Sequence, residues 1–171
     1  KHPNRLLAFI LLLFAAQNLI HILLFSKMIL KAPWLLRAFA PTTFLIGPIV
    51  YIYFRSVLKD EIRFRKYDWL FLIPGILTIV NFFPYYTLAE DDKIKYLNDN
   101  FYTQNPKQDS GRGILPTTIY YIIRVCWSAI FLVSSFILIT RFRKINSPEL
   151  LANNKILLNW LFTFNCILAA I

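Results

Sequence analysis

Five long apolar stretches divide the chain. Four of them contain no Asp, Glu, Lys or Arg: residues 6–26, 38–54, 69–89 and 156–171. The fifth, residues 113–140, is interrupted only by Arg124. A helix that rises about 1.5 Å per residue needs about 20 apolar residues to cross a hydrocarbon layer about 30 Å thick. The pattern therefore predicts five transmembrane helices, over residues 6–26, 35–54, 69–88, 114–140 and 156–171.

A helical bundle is the expected fold. Barrel strands would alternate polar and apolar residues, whereas residues 6–14 are apolar throughout. We expect an all-α integral membrane protein with a single domain over residues 1–171. Because the chain starts with Lys1 and stops inside an apolar run, we expect it to be a fragment. A signal peptide is the alternative for the first run, but that run exceeds the usual apolar core of about 7 to 15 residues.

Composition and charge agree with a membrane protein. The chain is 57% hydrophobic and 16% charged, whereas soluble domains are about 25% charged. With the first helix leaving the cytoplasm, eleven basic residues fall on the cytoplasmic side and seven on the outer side. Basic residues kept inside set the orientation of a membrane protein. We therefore expect a multi-pass protein of a bacterial inner membrane, with Lys1 cytoplasmic and Ile171 extracytoplasmic.

Polar residues inside the predicted spans are candidates for a ligand pocket, because lipid makes each of them costly. With the orientation above they concentrate in the outer half of the membrane: Gln17, His21, Asn81, Tyr120 and Arg124. Arg124 could offer its planar guanidinium to a small anionic ligand. The alternative is that Arg124 extends to the interface or binds neighbouring carbonyls, while the amides hold helices together.

Enzyme chemistry has little support in this sequence. No Asp or Glu lies in an apolar run, and the two histidines cannot form a metal cluster with them. Cys126 and Cys166 lack a CxxC spacing. We therefore expect no catalytic residue, no metal and no cofactor.

A basic loop follows the second span on the expected cytoplasmic side: Arg55, Lys59, Arg63, Arg65 and Lys66. Its simplest interpretation is a topology signal in contact with lipid headgroups, and docking of a cytoplasmic domain is the alternative. On the outer side, residues 90–112 form the longest connection. Apolar residues at helical spacing behind an acidic start predict a short helix there, as a lid or as part of a linker.

Two neighbouring stretches resemble a known family. Residues 47–58 read GPIVYIYFRSVL, and residues 63–74 read RFRKYDWLFLIP. Together they resemble the N-terminal membrane half of membrane-bound AraC-type transcriptional regulators of Bacteroidota, in which such a helix end precedes a basic loop and the next helix start. Residues 3–8, PNRLLA, look like the entry to that family's second helix. Phe71 stands where the family often has histidine, which puts any role of that position in doubt.

The resemblance implies a domain of seven helices followed by a cytoplasmic helix-turn-helix DNA-binding domain. Five helices that run from inside to outside would be the second to sixth of such a set. The chain would then anchor the regulator and sense a signal, and DNA would be contacted only through the missing C-terminal domain. The expected partners are the lipid bilayer, a small anionic ligand and a second copy of the chain. The alternatives are the sensor region of a histidine kinase, or a fragment of a small-molecule transporter or membrane enzyme.

Overall fold

The computed structural model describes residues 2–59, 65–103 and 113–170, and this part of the chain contains helices and no strand. The α-helices are α1 (His2–Phe25), α2 (Leu35–Ala38), α3 (Ala40–Lys59), α4 (Ile73–Asn81), α5 (Phe83–Tyr86), α6 (Glu90–Leu97), α7 (Thr117–Ile145), α8 (Pro148–Asn153) and α9 (Lys155–Ala170). Two 3-10 helices, Met28–Lys31 and Asp68–Leu72, and a π-helical turn, Asn98–Tyr102, complete the set. The predicted all-α class is confirmed.

Three helical segments of the described chain are long and apolar enough to cross a membrane: Asn4–Phe25, Leu35–Lys59 and Thr117–Ile145. They correspond to the first, second and fourth predicted spans. Residues 155–170 form a helix of 16 residues, which is about 24 Å long. The predicted membrane character therefore has structural support from three helices, and the predicted number of five spans stays a prediction.

The third predicted span, residues 69–88, is not one continuous helix. The 3-10 helix Asp68–Leu72 leads into α4, which ends before Phe82, and α5 begins directly after that residue. Prolines occupy the first turns of both α4 and α5, Pro74 and Pro84. A proline lacks the amide hydrogen and crowds the preceding turn, so it favours helix starts over helix interiors. Apolar length alone predicted a span here, and the proline positions decided where its helices begin.

Helix α3 is the centre of the bundle and packs against α1, α4 and α7, while α7 also packs against α9. One face of α3 buries Val50, Phe54 and Leu58 at four-residue spacing. These side chains share a core with residues of α1, α7 and α9: Ile10, Leu138, Ile139, Leu158 and Leu161. Helical spacing places the apolar stripe on one side of α3, and that stripe holds the four helices together.

A short helix forms in the connection that leads to α7, with the acidic residues in the first turn of α6 as the pattern predicted. Its apolar face turns inward, since Tyr96 and Leu97 are buried. The Lys93 ammonium donates a hydrogen bond to the Tyr86 carbonyl oxygen at 3.1 Å. The Tyr85 hydroxyl donates to the Pro33 carbonyl oxygen at 2.7 Å. The first of these bonds lies within the connection between α4 and α7, and the second attaches that connection to the segment between α1 and α3.

Candidate ligand cavity

A cavity of about 550 Å³ lies between α1, α3, α7 and the end of α9. Three of the predicted pocket residues line it, namely Gln17, His21 and Arg124. Most of the remaining wall is apolar or small: Phe14, Ile46, Gly47, Val50, Val125, Ala129, Leu132, Leu168 and Ala169. Asn18, Thr43 and Ser128 add further polar groups. Gln17 and His21 of α1 thus line the same cavity as Arg124 of α7, and their role in ligand binding stays a prediction.

Arg124 is the only cation among the described residues that line this cavity, and none of them is acidic. It lies on α7, half-buried, with its guanidinium carbon 5.1 Å from the centroid of the Tyr121 ring. No described residue forms a hydrogen bond or ion pair with its guanidinium. A guanidinium carries five N–H donors. The cavity therefore has a positive wall with donors that the described protein groups leave unused.

Gln17 holds two helices together. Its side-chain Nε2 donates to the Phe39 carbonyl oxygen at 2.9 Å and to the Thr42 hydroxyl oxygen at 2.8 Å. Phe39 lies at the break between α2 and α3, where the carbonyl is accessible to an outside donor. The amide thereby joins α1 to the start of α3, which is the interhelical role given above as the alternative to ligand binding.

Two predicted pocket residues lie elsewhere. Tyr120 is buried in an aromatic cluster, with its ring centroid 5.7 Å from that of Phe44 and 5.0 Å from that of Phe82. The Asn81 side-chain oxygen accepts a hydrogen bond from the Leu115 N–H at 2.8 Å and so joins the end of α4 to the segment before α7. Asn81 thus connects two segments by a hydrogen bond and Tyr120 by ring packing, and neither residue lines the cavity with Arg124.

The predicted basic loop is divided by the structure. Arg55 belongs to α3 and is only 2% exposed, because it forms a buried ion pair with Asp68. Lys59 is the exposed last residue of α3, and Arg65 and Lys66 are exposed where the described chain resumes. Arg63 lies outside the described residues. The assignment of Arg55 to a solvated loop is thus replaced by a structural role inside the bundle.

Asp68 was missed as a site residue. Its carboxylate accepts hydrogen bonds from both terminal nitrogens of Arg55, with 3.2 Å from Nη1 to Oδ1, and a third from the Arg65 N–H at 2.8 Å. Burial by itself would raise the pKa of the Asp68 carboxyl, but these hydrogen bonds and the nearby positive charges lower it below its ordinary value. The position of this one acid, at the very start of an apolar run, was the signal in the sequence.

Fold and cavity together define a helical protein with three membrane-length helices around a cationic pocket. No protein-family model, curated protein or solved structure matches the chain. The resemblance of residues 47–58 and 63–74 to membrane-bound AraC-type regulators therefore stays a prediction. The buried ion pair joins these two stretches, because Arg55 belongs to the first and Asp68 to the second.

Proposed function

We propose that this chain is the membrane-anchoring and signal-sensing region of a membrane-bound transcriptional regulator of the AraC type, whose DNA-binding domain follows it in the full-length protein. The observation that carries the sensing role is the cavity at Arg124. It is an open cavity bordered by four helices, has one cation with unused donors and is otherwise largely apolar. Its volume of about 550 Å³ lies in the range of about 300 to 1,000 Å³ common for small-molecule sites.

The ligand class follows from this lining. Arginine binds carboxylates and phosphates through two parallel hydrogen bonds. Beside Arg124, the wall offers apolar side chains such as Ile46, Val50 and Leu132. A small anion with an apolar tail would therefore use both parts of the cavity. A purely polar anion would leave the apolar wall in contact with water.

The membrane arrangement that we propose has five spans in a bacterial inner membrane. Residues 69–88 would be the third span and residues 156–171 the fifth, joined to the three membrane-length helices. Basic residues then lie mainly on the cytoplasmic side, with Lys1 inside and Ile171 outside. The cavity at Arg124 would open toward the outer half of the membrane.

Signalling requires that the ligand bind one packing of the helices better than another, because equal affinity for both shifts nothing. The cavity is bounded by α1, α3 and α7 together, so an anion bound at Arg124 would favour the packing in which these helices close on it. Helix α3 continues from the cavity wall at Val50 to the ion pair at Arg55. A shift of α3 would thus reach the end of the bundle where the cytoplasmic domain is expected.

The binding part of this proposal is tested with purified protein and octanoate, a carboxylate with an apolar tail. Isothermal titration in detergent should detect octanoate binding to the wild-type chain and no binding to Arg124→Gln. Arg143→Gln is the matched control, because Arg143 lies on the same helix, is exposed and is not part of the cavity. Octanol has the same apolar tail without the negative charge, and it should bind much more weakly than octanoate. Equal octanoate binding by the wild type and Arg124→Gln would contradict the ligand role of Arg124.

The regulatory part needs the full-length protein. Sequencing of DNA that co-purifies with the tagged full-length protein should show enrichment of promoter fragments. Autophosphorylation with labelled ATP and no DNA enrichment would favour the histidine-kinase alternative instead. Because DNA enrichment does not depend on octanoate, this experiment tests the regulatory role separately from ligand sensing.

A further inference from the structure

A second cavity, of about 650 Å³, lies between α3 and α7 near their C-terminal ends. Three of the residues that line it are basic, namely Lys59, Arg65 and Arg141. Its remaining wall is mainly apolar: Tyr51, Leu58, Ser134, Ile137, Leu138, Phe142, Ile145 and Asn146. Among the described lining residues none is acidic. Cations and apolar groups therefore share one concave surface.

The cations of this cavity lie toward the C-terminal ends of α3 and α7. Lys59 ends α3, and Arg141 lies one turn before the end of α7. In the other direction the wall reaches Tyr51 on α3 and Ser134 on α7. The lining of α7 extends from Ser134 to Ile145, which corresponds to about 16 Å along the helix axis. The site is elongated along the expected membrane normal, and its cations lie in the half nearer the C-terminal ends of the two helices.

We infer that this cavity binds one anionic phospholipid, with the phosphate beside its cations and part of an acyl chain along α7. Basic pockets between membrane helices on the cytoplasmic side are suited to phosphate headgroups. A guanidinium such as that of Arg141 matches the phosphate oxygens. A free phosphate ion has the same charge, but it would occupy only the part beside the cations. The apolar wall at Ile137 and Leu138 fits the lipid better.

A topology signal by itself does not require this geometry. Basic residues retained on the cytoplasmic side need only be exposed near the membrane. Here, cations from two helices and from the segment before the 3-10 helix converge on one cavity that extends into the bundle. The inference depends on the membrane orientation proposed above. It does not depend on DNA binding or on an anion at Arg124.

The test uses the full chain in nanodiscs of phosphatidylcholine that contain phosphatidylglycerol at increasing fractions. Native mass spectrometry counts the lipids that stay bound. The wild type should retain one phosphatidylglycerol in preference to phosphatidylcholine. Arg141→Gln should lose at least about fivefold of this preference, since one interfacial cation contributes about that much. Lys59→Gln should act in the same direction and provides a second variant if Arg141→Gln does not fold.

Arg143→Gln is the matched control, because it removes the same charge two residues away on α7 from a residue that does not line the cavity. It should retain the wild-type preference. An equal loss for Arg143→Gln and Arg141→Gln would overturn the site in favour of general surface attraction. Glycerophosphoglycerol and inorganic phosphate test the acyl contribution, and both should compete poorly. If either displaces the lipid at equal concentration, the site is one for a free phosphate group and the lipid inference is wrong.

Discussion

The Arg55 guanidinium and the Asp68 carboxylate form a buried, bidentate ion pair between residues that are thirteen positions apart in the chain. Arg55 lies one turn before the end of α3, and Asp68 begins the 3-10 helix that leads into α4. Their side chains are 2% and 5% exposed. The pair therefore determines how α3 and α4 meet, and it joins the two stretches on which the resemblance to AraC-type regulators rests.

Asp68→Asn should destabilise the fold strongly. The substitution removes the carboxylate that pairs with the buried Arg55 guanidinium, and loss of one partner of a buried pair costs about 3–5 kcal/mol. Thermal unfolding in detergent, followed by size-exclusion chromatography, measures this effect. Asp91→Asn, at an exposed position of α6, should leave the unfolding temperature nearly unchanged.

The double variant Arg55→Met/Asp68→Leu should recover much of the lost stability, because apolar side chains in place of both partners avoid the desolvation of a buried charge. A double variant as unstable as Asp68→Asn would mean that the charges themselves are required. If Asp68→Asn alone is as stable as the wild type, the ion pair contributes little to the stability of the fold.

Stability should fall in acid because of the same carboxyl. Hydrogen bonds from Arg55 lower the pKa of Asp68 in the folded protein below its ordinary value, which is about 3.9 in unfolded chains. The stabilisation is therefore complete above that value and is lost as the pH falls through the lower, folded-state pKa. Unfolding temperatures measured from pH 7 downward should show this loss in the wild type below about pH 4. Asp68→Asn should lack this component, and identical pH profiles would contradict the assignment.

The sequence predicted the helices well wherever the apolar runs were continuous. The fourth run predicted a helix over 114–140, and α7 is Thr117–Ile145. It also made Gln17, His21 and Arg124 candidates for a ligand pocket, because polar groups in membrane spans tend to turn inward; all three line one cavity, and ligand binding there stays a prediction. Such residues can be recognised in a sequence without knowing which residues they contact.

What the sequence left open depends on partners distant along the chain. Arg55 was counted as a loop cation because nothing in its neighbourhood revealed the acceptor at Asp68. Asn81 and Tyr120 satisfy the same polar-in-lipid pattern as Arg124, yet they connect helices outside the cavity. A polar residue within an apolar run of the sequence indicates a partner inside the bundle. Only tertiary structure decides whether that partner is protein or ligand.

Gly47 allows α3 and α7 to pack closely. A β-carbon at this position would lie 3.2 Å from the Phe131 Cβ, which is fixed to the backbone of α7. At Gly75, in α4, the nearest atom would lie at 3.4 Å, an ordinary contact. Both alanine variants gain similar helix propensity. Gly47→Ala should therefore be less stable than Gly75→Ala by roughly 1 kcal/mol or more, since overpacking costs about 1–3 kcal/mol. Chemical unfolding of the two variants side by side measures the difference, and equal stabilities would refute close packing at Gly47.

The buried Tyr85 hydroxyl should contribute measurably to stability. It donates to the Pro33 carbonyl oxygen at 2.7 Å in a fully buried position. Tyr85→Phe keeps the ring but leaves this carbonyl without that donor, at a cost of about 1–3 kcal/mol. Tyr121→Phe is the matched control, because its ring is 44% exposed. A decrease in unfolding temperature confined to Tyr85→Phe is the expected result, and no difference between the variants would show that water replaces the bond.

Two serines of α7 test the proposed orientation directly. Ser128 lines the cavity at Arg124, and Ser134 lines the basic cavity six residues later. Cys126 and Cys166, both exposed, are first replaced by alanine. In right-side-out vesicles, a charged, membrane-impermeant thiosulfonate should label Ser128→Cys and leave Ser134→Cys unlabelled. Inverted vesicles should give the opposite pattern, because the excess of basic residues keeps the end at Ser134 cytoplasmic. Labelling of Ser134→Cys from the outside alone would reverse the topology and place the basic cavity on the extracytoplasmic side.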